Sequence, residues 1–142
     1  MPSSQQHKEK SRENRVFLDF LIANNGPPEW IAVVAFYSAL HAIERLSACD
    51  NRHYQKHQDR LAYLTGHKKH RAIHRDFAIL FDASLVARYG TPNAFKQAFP
   101  GNTVVDVLVN SCLVAIEAYV DAHFNPPLAM ATGTLPSAVT KP

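Results

Sequence analysis

Tyr37, His41 and Glu44 stand at i, i+4 and i+7 in a segment whose other residues are mostly apolar. A helix there places a phenol, an imidazole and a carboxylate on one stripe. A histidine and a carboxylate one turn apart can form a charge-assisted pair, which fixes the ring and raises its pKa. The same three side chains serve equally well as a closed core network, because buried polar groups take partners whether or not they function. Both readings stay open at this point.

Residues 52–75 hold seven of the 15 Lys and Arg and five of the 8 His. His53 and His57 form one i, i+4 pair, His70 and His74 another, and His67 precedes His70 and Arg71 by about a turn. Two histidines on one helix face have the spacing of metal ligands. No Glu follows His70 in the zincin manner, and no Cys or carboxylate supplies an evident third ligand. A solvated basic face or a phosphate-contacting surface is therefore preferred to a metal site, and no cofactor is expected. Further along, Ser84 and Arg88 are one turn apart with Tyr89 adjacent. Arg88 near a helix end can cap the last carbonyls, or it can hold an anion while Tyr89 stacks on a base.

These groups need elements to position them. Val16, Phe17, Phe20 and Leu21 recur at helical spacing and predict a helix over 6–24, closed by Asn24-Asn25-Gly26-Pro27-Pro28. A second helix over 28–48 is apolar over most of its circumference, Trp30, Phe36, Leu40 and Ile43 included, and so belongs at the centre of a bundle. A short helix over 57–64 ends near Gly66, a long one runs from Lys68 to Tyr89, and 91–101 is a loop with one turn around 93–98. A last helix starts at a cap on Asn102 or Thr103 and ends before Pro126-Pro127. No alternating, turn-bounded run predicts a strand. The expectation is an all-α fold, an up-and-down antiparallel bundle of four long helices plus one short one. Residues 1–14 form a polar, partly helical lead-in, 15–125 the bundle, and 126–142 a flexible tail.

The length of 142 residues suits one domain. At 46% hydrophobic and 19% charged, the composition excludes a disordered chain. A formal charge of +3, with 8 His in reserve, favours anionic partners mildly. Cys49 and Cys112 have neither zinc spacing nor a disulfide framework and are expected as buried thiols. The polar first 15 residues lack the apolar centre of a secretory signal, and no apolar run is expected to reach the about 20 residues of a membrane span. A cytoplasmic protein with no membrane partner is the expectation.

Three segments in order carry a resemblance: Trp30…Phe36-Tyr37-Ser38-Ala39-Leu40-His41-Ala42-Ile43-Glu44, then His57-Gln58-Asp59-Arg60, then Leu80…Ser84-Leu85-Val86-Ala87-Arg88-Tyr89. Together, over about Arg15 to Phe124, they resemble a stand-alone branch of the HEPN superfamily. That resemblance implies an α-helical bundle, a homodimer, and a place in toxin–antitoxin or defence systems beside an antitoxin or a nucleotidyltransferase. It also implies metal-independent ribonuclease chemistry in many members, through an Arg followed a few residues later by a His at the dimer interface. Six residues separate Arg60 from His67 here. In that chemistry a histidine takes the proton of a ribose 2′-hydroxyl and an arginine stabilises the charged transition state, with Arg60 and His67 as the motif-based choice and His41 as a further base. The alternatives are a non-catalytic RNA- or nucleotide-binding module using His57, Arg60, Ser84, Arg88 and Tyr89, and a dimeric protein-interaction module in which Tyr37, His41 and Glu44 form a structural network.

Overall fold

A computed structural model describes residues 1–66 and 68–125. Every regular element among them is helical. His67 and the tail expected over 126–142 lie outside the described residues.

Helix α1 spans Ser4–Ala23. Ser3 opens it with a capping box, its hydroxyl accepting from the Gln6 backbone N–H while the Gln6 side chain accepts from that of Ser3. The helix thus begins two residues before the expected start at Gln6 and packs from its first turn. Ser4, His7, Ser11, Asn14, Leu18 and Leu21, in alternating steps of three and four, form a buried or half-buried stripe along it. Val16, Phe17 and Phe20, whose spacing signalled the helix, are instead 71%, 50% and 59% exposed. Asn25, at φ 53, and Gly26 turn the chain. A Cβ on Gly26 would meet the Leu21 side chain at 3.0 Å and the Leu21 carbonyl at 3.2 Å, so the close return itself asks for glycine here.

Helix α2, Pro28–Cys49, starts with proline in its first turn and Glu29 beside it to complement the dipole. It folds back antiparallel to α1: Ser11 Oγ donates to the Ser38 carbonyl at 2.8 Å, Ser38 Oγ returns the bond to the Ser11 carbonyl at 3.0 Å, and Ser4 Oγ donates to the Arg45 carbonyl. Small side chains at these positions let the two backbones approach this closely. By length and composition α2 reaches the size of a membrane span, contrary to the sequence expectation. Yet 78% of its most apolar window is buried inside the fold, as befits a central helix. Phe36, Ile43 and Leu46 are buried among Leu18, Leu64, Phe77, Leu80, Leu108, Leu113 and Ile116. Each such side chain contributes about 1.5–3 kcal/mol. Trp30, expected in this core, is 61% exposed at the first turn of α2.

Helix α3 covers His57–Gly66, and a 3₁₀ turn, His70–Ile73, leads into α4, His74–Tyr89. The expected loop over 91–101 contains α5, Pro92–Ala98, with the Thr91 hydroxyl accepting from the Ala94 N–H and Pro92 in the first turn. The last helical stretch is wound as a π-helix over Val104–Leu113 and continues as α6, Val114–Phe124. Cys112 is buried, and burial beside Asp76 pushes its thiol up to about 11. Cys49 is exposed, contrary to expectation, because it closes α2 where that helix leaves the core.

Candidate functional site

Glu44 and Arg60 are both buried. The carboxylate of α2 receives Arg60 Nε at 2.5 Å, and Arg60 Nη2 closes on the same oxygen. The other carboxylate oxygen accepts from Ser47 Oγ at 3.2 Å. Arg60 Nη2 also donates to the Tyr54 carbonyl, and Nη1 lies 2.8 Å from His57 Nδ1. A buried charge needs this degree of pairing. The ion pair therefore ties α2 to α3 and to the irregular segment before it.

The contact with Arg60 fixes the state of His57. A guanidinium only donates, so Nδ1 of His57 must accept, and a neutral ring then carries its proton on Nε2. Burial lowers the pKa of His57, and the Arg60 and Arg88 guanidinia lower it further, with Glu44 opposing. The imidazole, packed against the Phe36 and Phe81 rings at 5.1 and 4.9 Å, thus offers an N–H donor. In this tautomer it has no free lone pair with which to act as a base.

Arg88 stands near the end of α4. Nε donates to the Ser84 carbonyl at 3.2 Å, Nη2 to Ser84 Oγ at 3.3 Å, and Nη1 to the Tyr37 hydroxyl at 3.2 Å. It caps the helix, and it also sits over the Tyr37 and Tyr89 rings at 5.8 and 5.2 Å. Among the described residues no carboxylate forms a salt bridge with it. Ser84 is fully buried, Arg88 and Tyr37 are half-buried, and Tyr89 is 77% exposed. A fixed cation with no carboxylate partner among the described residues, beside an exposed aromatic ring, has the makings of an anion contact.

His41 does not pair with Glu44. Its Nδ1 lies 3.1 Å from Nδ1 of His7, and the two rings stack at 5.4 Å. One nitrogen must donate and the other accept, so the pair holds only one proton between these atoms. Burial, then the charge of His7, lowers His41 to about 4, with Lys10 and Arg60 adding to the effect. His7 is lowered chiefly by burial.

The chain thus gathers two neighbouring groups: Glu44, Ser47, Arg60 and His57 around the ion pair, and Tyr37, Ser84, Arg88 and Tyr89 around the second arginine. Phe36 bridges them, its ring touching those of both Tyr37 and His57. His41 belongs to the α1 seam. His67, expected as the motif partner of Arg60, lies outside the described residues. Sequence reasoning missed His7, Ser47 and the Tyr54 carbonyl. The i, i+3 step from Glu44 to Ser47 was a readable signal, whereas a backbone acceptor has none.

The other basic residues go elsewhere. His70 is buried, its Nδ1 2.6 Å from the Tyr119 hydroxyl and its ring against Tyr63 and His123. Among the described residues no three His, Cys, Asp or Glu side chains come together as metal ligands. No family model matches this chain, and comparison with curated proteins and with solved structures finds none similar to it.

Proposed function

We propose that this chain is a HEPN-like helical domain that binds single-stranded RNA or a nucleotide at the Arg88 face. One observation carries this reading: the Arg88 guanidinium is held by Ser84 and Tyr37, has no carboxylate salt bridge among the described residues, and adjoins the exposed Tyr89. Phosphate meets the guanidinium, the His57 N–H adds a donor, and Tyr89 supplies a stacking surface of the kind that unpaired bases use. Binding is favoured over cleavage because Arg60 is already engaged by Glu44, and because His57, donating through Nε2, is not set up as a general base.

The same reading takes the helices as an up-and-down bundle, and the protein as a cytoplasmic homodimer. Its setting would be a toxin–antitoxin or defence system, with an antitoxin or nucleotidyltransferase as partner. The antiparallel return of α2 along α1 and the resemblance over about Arg15 to Phe124 support it.

Fluorescence anisotropy with a labelled single-stranded RNA tests the site. Arg88→Gln is expected to weaken binding about tenfold and to flatten the salt dependence, and Tyr89→Ala to weaken it by a similar factor. Equal affinity for wild type and Arg88→Gln would remove the basis for this reading.

A further inference from the structure

A second basic site lies along α1. His7 faces His41, but Lys8, Arg12 and Arg15 line a cavity of about 290 Å³ between α1, α2 and α6, together with Arg45, Glu117 and Asp121. Four lining cations there face two lining carboxylates, with Asp19 beside Arg15 as a third. Arg15 Nε takes Glu117 at 3.1 Å, and Arg45 Nη1 reaches Asp121 at 3.5 Å. Among the described residues Lys8 and Arg12 have no ion pair. The cavity is left with an excess of positive charge.

The geometry makes that excess costly. Arg45 is only 9% exposed and lies over the Phe124 ring at 3.9 Å. Burial lowers its pKa, Asp121 opposes this, and nearby Arg12 lowers it again. Arg15 Nη1 is buried and makes no hydrogen bond, although Asp19 Oδ1 is 3.1 Å away, so a buried donor stands in the site without a properly aligned acceptor. Like charges converging on a small void repel, and a bound anion relieves the repulsion. Guanidinium forks match tetrahedral oxyanions in shape as well as in charge.

We propose that this cavity binds the phosphoryl group of a small ligand about the size of pyrophosphate, with Arg12, Arg15 and Arg45 as its contacts and Lys8 at the rim. The volume sits at the lower edge of small-ligand sites, which suits a diphosphate and excludes a folded nucleic acid. The site is separate from the Arg88 face and does not depend on its function.

Isothermal titration calorimetry of inorganic pyrophosphate into the full chain at low ionic strength tests the proposal. Wild type is expected to bind one pyrophosphate per chain at this site. Arg12→Gln, which removes an unpaired exposed cation and leaves the fold intact, is expected to weaken it about tenfold, as is Arg15→Gln. No saturable binding by wild type would overturn the proposal. So would unchanged affinity in Arg12→Gln, or a loss in Arg88→Gln that Arg12→Gln does not share, which would assign the anion to the Arg88 face.

Discussion

The Glu44 carboxylate and the Arg60 guanidinium meet inside the helical core, their side chains 5% and 8% exposed. Their attraction offsets the cost of removing two charges from water only while both are present. Glu44→Ala is therefore expected to destabilise the fold by about 3–5 kcal/mol, since it strands a buried guanidinium. The double variant Glu44→Met with Arg60→Met is expected to lose much less. Urea unfolding of the three proteins measures this, and a double variant as unstable as the single one would contradict it.

The His7–His41 contact makes stability depend on pH. The folded chain holds His41 down to about 4, whereas an unfolded histidine titrates near 6.5. Between those values the unfolded state binds more protons, so stability falls as pH drops through that window and is complete above it. Partial exposure of His41 reduces the effect to about 1–2 kcal/mol. Glu117, raised by burial, works in the opposite sense. Comparing wild type with His41→Gln at pH 7.5 and 4.5 isolates the histidine term, and an equal acid loss in both would contradict it.

The reciprocal bonds between Ser11 and Ser38 set how closely α1 approaches α2. Ser38→Ala is expected to cost about 1 kcal/mol, one intramolecular hydrogen bond. Ser38→Val adds bulk at a fully buried position and is expected to cost about 1–3 kcal/mol more. A thermal melt of each distinguishes them, and a Val variant as stable as the Ala variant would show that the seam has room to spare.

Much of the fold could be read from the residues because α2 announces itself: a helix apolar on nearly every side has to be central. The path of α1 was less legible. Its packed seam begins Ser4, His7, Ser11, Asn14, so hydrophobic periodicity picked out Val16, Phe17 and Phe20 on the solvent face instead. The Thr91-Pro92 start of α5 carried a readable cap, but seven residues are too few for a periodic signal. The π winding of Val104–Leu113 leaves no mark in residue type.

At the candidate site, spacing singled out Tyr37, Glu44, Ser84 and Arg88. It did not reveal which cation Glu44 would neutralise. That choice rests on how α3 docks, and it separates Arg60, engaged in the interior, from Arg88, which has no carboxylate partner among the described residues.

The most direct measurement is a gel-retardation assay of a mixed, end-labelled RNA pool in EDTA, read for both mobility and strand length, with wild type beside Arg88→Gln and Arg60→Ala. Wild type is expected to retard the RNA at full length, and Arg88→Gln to release it. RNA that is not retarded, or is retarded equally by Arg88→Gln, would contradict binding at the Arg88 face. Strands shortened by wild type and spared by Arg60→Ala would show cleavage chemistry centred on Arg60 instead.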